Sequence, residues 1–189
     1  MLSPEDERMI TVSKLEAAKR QLDCAIHLWF HDGDDVSTHT LAATAHQVLH
    51  DIHRKIGAGS PIFSPDIVKE EYHKQWQNIV KRPWNFFKHA DNDPDPEGTL
   101  KFPAFATTVY FLFSFQMLAD LNERNSDLIA AFTTWMAVQE SSIINPQFIR
   151  FVQQIIKVDQ RNFLKRVGKA EFLKLYLEQR KVTRAEVTE

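Results

Sequence analysis

The sequence predicts an all-α protein, a single-domain helical bundle of six to seven helices. Only 5 of the 189 residues are glycine, so the chain lacks the turn-formers that a sheet of many short strands requires. Apolar residues instead recur at helical spacing along several long stretches. The hydrophobic fraction of 43% is sufficient for a real core and excludes disorder except at the ends. We therefore expect one helical domain over residues 1–180 and a frayed C-terminal tail over residues 181–189.

Two amphipathic helices are expected in the N-terminal third. The first begins at Ser3, because Ser3, Pro4 and Glu5 combine a capping residue, a proline at the first helical position and an acid in the first turn. Its apolar stripe consists of Leu15, Ala18, Leu22, Ala25, Ile26 and Trp29. The second helix covers about residues 36–56 and is capped by Asp35 or Ser37. Its apolar face lies beside a stripe of four histidines, His39, His46, His50 and His53.

The middle of the chain is predicted to be interrupted. A third helix starts at Ser64 and ends near Val80. Because Pro83 disfavours helical backbone at the residue before it, Arg82 is placed in a turn. Asn85 then caps a short separate helix that contains Phe86, Phe87 and His89.

The C-terminal half is predicted to return to long helices after an exposed acidic loop over residues 91–98. Apolar helices are expected over residues 102–121 and 127–143. A further helix starts at Asn145 and breaks near Gly168, and a last amphipathic helix follows. Short turns between the helices predict antiparallel neighbours.

Charge and cysteine content limit the class of protein. The 23 Lys and Arg residues against 25 Asp and Glu give a net charge of −2, so any contact with nucleic acid must be local. A single cysteine, Cys24, excludes an internal disulfide framework and fits a reducing compartment. The uncharged stretch over residues 102–119 contains Pro103, Thr107 and Ser114, which favour a buried core helix over a membrane span. Since no signal peptide is evident, we expect a cytoplasmic protein with no membrane partner, and no cofactor is predicted.

One pair of residues suits the cleavage of RNA without a metal ion. Arg82 and His89 are separated by six residues. An imidazole can take the proton of a 2′-hydroxyl group, and a guanidinium can hold the developing phosphorane charge. Asn85 and Lys88 lie between them and are predicted to support the site. The alternative is a structural histidine that forms a salt bridge with Asp91 or Asp93 in the acidic loop.

Two ion sites are also considered. His46, His50 and His53 have the helical spacing at which histidines can share one metal ion, but they also fit the boundary of an amphipathic helix. The alternating acids Asp91, Asp93, Asp95 and Glu97 resemble the start of a calcium loop. That loop lacks the glycine expected at its sixth position and the glutamate expected at its twelfth, so a solvated acidic loop is the simpler interpretation.

Three segments carry a resemblance to known proteins. They read AAKRQLDCAIHLWF over residues 17–30, VSTHTLAATAHQVLHDI over residues 36–52 and NFFKHADNDPD over residues 85–95. Together they resemble a group of uncharacterised bacterial helical proteins that share this order of motifs. The chain is also similar, more loosely, to the HEPN superfamily, all-α domains with an R-x4-6-H motif that are often dimeric metal-independent RNases. The presence of Pro83 directly after the arginine departs from that motif.

The resemblance implies a HEPN-like homodimer in which Arg82 binds phosphate and His89 is catalytic, with RNA as the substrate. We therefore expect an RNA-directed module of the toxin or phage-defence type. The alternative is a non-catalytic helical bundle that binds a protein partner or a small ligand. In that case His89 only anchors the loop after it.

Overall fold

The computed structural model describes residues 9–57, 70–89, 94–142 and 144–188. These residues contain eight α-helices, a short 3-10 helix over Glu70–Tyr72 and no strand, which confirms the all-α prediction. In chain order the helices are α1 (Lys14–Phe30), α2 (Asp35–Lys55), α3 (His73–Lys88), α4 (Phe105–Asp120), α5 (Asp127–Val138), α6 (Pro146–Ile155), α7 (Val158–Leu164) and α8 (Lys169–Thr188). Two helices lie between Asn145 and Gly168 where one was predicted. This difference partly explains why the described residues contain eight helices and not six to seven.

The first helix begins later than the sequence predicts. Residues 9–13 are not helical, and Ser13 caps α1 by accepting a hydrogen bond from the backbone amide of Glu16 at 3.1 Å. The predicted start at Ser3 lies outside the described residues, but a continuous helix from Ser3 is wrong. The cap of α2 is Asp34, whose carboxylate accepts from the amide of Ser37 at 2.7 Å. The predicted caps of α2 were Asp35 or Ser37, which lie one and three residues later. All three residue types can cap a helix, so the local sequence alone did not distinguish them.

Helix α3 continues through Pro83, so the predicted turn at Arg82 and the separate helix capped by Asn85 are wrong. Proline removes one helical hydrogen bond, and its ring disturbs the preceding turn. The hydroxyl group of Tyr110 on α4 donates to the carbonyl oxygen of Val80 at 3.0 Å, within that disturbed turn. Val80 is fully buried and Pro83 is also buried, so packing against α4 supports the helix where its own hydrogen bonds are weakened.

The core forms around α2, which makes its most extensive contacts with α1 and α4. Ala42, Ala43 and Ala45 on α2 are buried, and these small side chains let the neighbouring helices approach closely. Helix α4 is buried on most sides, as its uncharged sequence predicts. Among the described helices, none is both long enough and apolar enough to cross a membrane.

Helices α5 to α8 form the second part of the bundle. Helix α5 ends at Val138, five residues before the predicted end. Helix α6 ends at Ile155, where the chain turns extended at Ile156 (φ −97°, ψ 118°). The Arg161 guanidinium on α7 donates to the carbonyl oxygens of Gln153 at 2.5 Å and Ile156 at 3.0 Å. Because the last carbonyl groups of a helix have no partner within it, this arginine stabilises the break between α6 and α7.

The C-terminal residues are helical where a frayed tail was predicted from Lys181. Helix α8 continues to Thr188. The guanidinium groups of Arg180 and Arg184 reach the same carboxylate oxygen of Asp127 on α5, at 3.4 Å and 3.0 Å. These two contacts connect the last helix to the start of α5, and the one from Arg184 lies within the segment where the sequence predicts fraying.

The Tyr110 hydroxyl group is expected to stabilise the protein through α3. Replacing Tyr110 with Phe removes a buried hydrogen bond to the Val80 carbonyl, which should cost about 1–2 kcal/mol of unfolding free energy. Urea unfolding measures the loss. Tyr72→Phe, which removes the hydroxyl of a side chain that is 51% exposed, is the matched control and should change stability little. Equal stability of Tyr110→Phe and the parent protein would contradict this account of the proline-containing helix.

Candidate functional site

Helix α3 has an inward and an outward face. The inward side chains are buried or half-buried and pack against the core: Trp76, Ile79, Val80, Pro83, Trp84 and Phe87. Arg82, Asn85, Phe86 and His89 are all exposed. At 100° per residue, these four fall on one stripe of the helix surface. The structure therefore brings three of the four predicted site residues, Arg82, Asn85 and His89, to one exposed face.

The continuity of α3 sets the geometry between Arg82 and His89. Seven residues are almost two helical turns, so the two side chains start from the same side at a rise of about 10 Å. His89 directly follows the last helical residue, and its backbone amide still donates to the carbonyl of Asn85 at 2.9 Å. The flexible Arg82 side chain can extend several ångströms toward the His89 imidazole, so the two side chains can approach adjacent groups of one bound molecule. This arrangement would not exist if Pro83 had ended the helix.

Lys88 lies to the side of this stripe. Its ammonium group is 4.7 Å from the centre of the Trp84 ring, in a cation–π contact. The lysine thus covers an indole that is itself only partly buried. Because Lys88 does not lie on the stripe that carries Arg82 and His89, its ammonium group is placed to add positive charge beside the candidate site and not to contact the reacting atoms.

The exposed face of α3 is basic. Lys74, Lys81, Arg82 and Lys88 are exposed, and the helix has no acidic residue. In a chain of net charge −2, this is the local positive surface that contact with an anion requires. The predicted partners of His89 in the structural alternative, Asp91 and Asp93, lie outside the described residues. Asp95 and Glu97 of the acidic loop are exposed.

The predicted metal ligands on α2 point to different partners. The Nε2 atom of His53 is 2.9 Å from Oδ2 of Asp120 on α4. His46 and His50 stack with ring centres 6.3 Å apart, and Nε2 of His46 is buried without a hydrogen-bond partner. Within the described part of the chain, no three His, Cys, Asp or Glu side chains are arranged to hold a metal ion. The geometry gives the metal prediction for His46, His50 and His53 no support.

The histidine stripe instead forms part of a buried polar cluster. His39 is fully buried, and its Nδ1 atom is 3.0 Å from the Thr107 hydroxyl group on α4. The ring of Tyr110 contacts both His39 and His46, with ring centres 5.4 Å and 5.0 Å apart. Sequence reasoning placed these histidines beside the apolar face but did not identify Thr107 or Tyr110 as their neighbours. No local pattern in α4 distinguishes these two residues from the rest of a buried helix.

Burial keeps His39 and His46 of this cluster neutral. It lowers the pKa of His39 to about 4. Burial, together with the nearby charges of His50 and Lys81, lowers the pKa of His46 to about 3. Burial also raises the pKa of the Tyr110 hydroxyl group. Neutral groups inside a helix interface suit packing, because a charged imidazole there would lack a compensating partner.

Stability is expected to decrease as the pH falls below about 6.5, the usual pKa of a histidine in an unfolded chain. Below that pH the unfolded chain binds protons that His39 and His46 do not bind in the folded protein, until the folded pKa values of about 4 and about 3 are approached. At about pH 5 the loss should be about 2 kcal/mol for each histidine. Urea unfolding between about pH 7.5 and about pH 4.5 measures it.

Two variants separate this effect from general acid denaturation. His46→Leu should remove about half of the pH dependence in that range, since one of the two buried groups no longer titrates. His31→Leu, which replaces an exposed histidine on another helix end, is the control variant. If both variants keep the parent slope, His46 is not a source of the acid sensitivity.

Comparisons with known proteins give no relative for this chain. No family model, no curated protein and no solved structure matches it. The similarity to the HEPN superfamily therefore remains an expectation that rests on residues 82–90. Any function must be argued from the geometry of the chain itself.

Proposed function

We propose that the exposed face of α3 binds RNA and that Arg82 and His89 cleave it without a metal ion. The proposal rests on one observation: Arg82, Asn85 and His89 share an exposed stripe on a helix with basic but no acidic side chains. Positive side chains supply the phosphate contacts that dominate affinity for nucleic acid. The exposed ring of Phe86 on the same stripe offers a surface on which a base can stack.

The chemistry assigns one role to each residue. His89 acts as the general base and takes the proton of a ribose 2′-hydroxyl group, whose oxygen then attacks the adjacent phosphorus. The Arg82 guanidinium holds the phosphorane oxygens by paired hydrogen bonds as negative charge develops. The 5′-oxygen leaves with a proton from solvent, and the cleaved strand ends in a 2′,3′-cyclic phosphate. Asn85 and Lys88 contribute a hydrogen bond and a positive charge beside the substrate.

The proposal includes a homodimer of the HEPN type. The stripe lies on the outer side of α3, where its side chains are exposed to water. A second copy that places its own α3 opposite would convert this face into a cleft and bring two sets of Arg82 and His89 together. Such a cleft suits an RNA-directed module of the toxin or defence type, because the complete site would form only when two subunits associate.

Purified protein is expected to cleave total RNA in excess EDTA. His89→Ala should reduce the rate at least about 100-fold, the usual contribution of a general base. His31→Ala is the matched control, since His31 is also exposed and also directly follows the last residue of a helix. Cleavage that depends on a divalent ion, or that persists in His89→Ala, would refute the proposed mechanism.

The stability of His89→Ala separates this proposal from the anchoring alternative. If the role of His89 is catalytic rather than structural, its loss should change the unfolding free energy by less than about 0.5 kcal/mol. A loss of about 1–3 kcal/mol, without any effect on RNA, would favour a histidine that holds the following loop. Urea unfolding of His89→Ala and of its control His31→Ala measures the difference.

Binding of RNA is expected to depend on salt through α3. With His89→Ala as a cleavage-deficient background, adding Arg82→Ala should weaken binding to single-stranded RNA and lower the slope of log affinity against log salt by about 0.7. Arg54→Ala is the control, because Arg54 is an exposed arginine on α2. Fluorescence anisotropy at several salt concentrations measures both slopes. Equal slopes for the two arginine variants would show that α3 does not contact the RNA backbone.

A further inference from the structure

A groove on the C-terminal half has the size and lining of a ligand site. It has a volume of about 830 Å³ and lies between α5, α6, α7 and α8. Val152 and Phe172 are buried at its base. Phe151, Ile155 and Phe163 line it while remaining 54%, 63% and 54% exposed. Large apolar side chains grouped around one depression are typical of a surface that another molecule covers.

The polar lining of the groove includes a cation. Thr134, Gln160, Gln179 and Arg180 contribute its polar side chains. The Nε atom of Arg180 is 3.4 Å from Oδ1 of Asp127, at the long limit of a hydrogen bond. The same oxygen accepts from Arg184 at 3.0 Å. One carboxylate oxygen is therefore shared by two guanidinium groups, and the long contact of Arg180 leaves its other N–H groups directed toward the groove that it lines.

The helices that form the outer wall are also basic. Residues 145–168 contain five basic side chains, Arg150, Lys157, Arg161, Lys165 and Arg166, and one acidic side chain, Asp159. Lys165 pairs with Glu140 at 2.7 Å, and Arg161 donates to backbone carbonyls. Arg150, Lys157 and Arg166 are exposed around this wall. Charge complementarity thus favours a negatively charged occupant with an apolar body.

We infer that this groove binds a long-chain carboxylate. Its hydrocarbon tail would lie among Phe151, Ile155 and Phe163, and its carboxylate head group would lie at Arg180. A carboxylate accepts paired hydrogen bonds from a guanidinium group, and an unbranched chain fills an apolar groove of this shape. A second copy of the chain is a poorer occupant, because a two-fold contact would place the basic wall against an identical basic wall. The site is remote in sequence from α3 and does not depend on the RNA proposal.

Binding is tested with the fluorescent carboxylate cis-parinaric acid and competition by dodecanoate and dodecanol. We expect saturable binding at about one site per chain, displaced by dodecanoate more effectively than by dodecanol. Arg180→Gln should weaken the carboxylate about tenfold or more and leave the alcohol unchanged. Arg184→Gln is the matched control, since Arg184 reaches the same carboxylate but is not part of the groove lining. Thermal unfolding of each variant confirms that it is folded.

A second pair of variants tests the part of the groove that would bind the hydrocarbon tail of the ligand. Phe151→Glu places a negative charge on the wall and should abolish binding, whereas Phe105→Glu, at a side chain that is 53% exposed on α4, should not. Binding unaffected by Phe151→Glu, or equal displacement by acid and alcohol, would overturn the inference. So would concentration-dependent dimerisation that Phe151→Glu abolishes, which would assign the groove to a second copy. Association with anionic vesicles without saturable binding of the free acid would instead assign it to a lipid surface and also overturn the proposal.

Discussion

The packing of α2 between α1 and α4 is the interaction on which the rest of the structure depends. Its buried alanines allow two helices to approach it from different sides, and a larger side chain at Ala42 or Ala45 would separate them. The same helix carries His39, His46 and His53 into the interface. Because His39 and His46 are buried beside the Tyr110 ring, and burial lowers the pKa of both, the interface is most stable while these two histidines stay neutral. Close packing and acid sensitivity therefore have one origin.

The position of α3 follows from this packing. Tyr110 extends from α4 past the rings of His39 and His46 and donates to the carbonyl of Val80. That contact supports α3 at the turn before Pro83, so the helix continues and Arg82 shares a face with His89. A buried hydroxyl group thus controls the geometry of an exposed surface. The proline departs from the R-x4-6-H motif in sequence, yet the helix continues through it.

Two surfaces in the described part of the chain carry local positive charge, although the whole chain has a net charge of −2. The first, on α3, combines basic side chains with exposed polar groups and one exposed ring, which suits phosphate and base contacts. The second, on α6 to α8, combines basic side chains with an apolar groove, which suits an amphiphile. The difference lies in what accompanies the charge: exposed polar groups on one helix in the first case, and the apolar walls of a groove in the second. The two proposals can therefore fail independently.

The sequence by itself determined the helical class, the apolar faces and several helix starts, because these follow from residues close together in the chain. Ser126 and Asn145, for example, cap α5 and α6 at the starts that the sequence predicts. It also supplied Arg82, Asn85, Lys88 and His89 as candidates, although it placed them on separate elements. Only the tertiary structure decided that α3 is continuous, since the supporting bond joins Val80 to a residue 30 positions away. The burial of His39 and His46 and the groove between α5 and α8 were decided in the same way, because both depend on how distant helices pack.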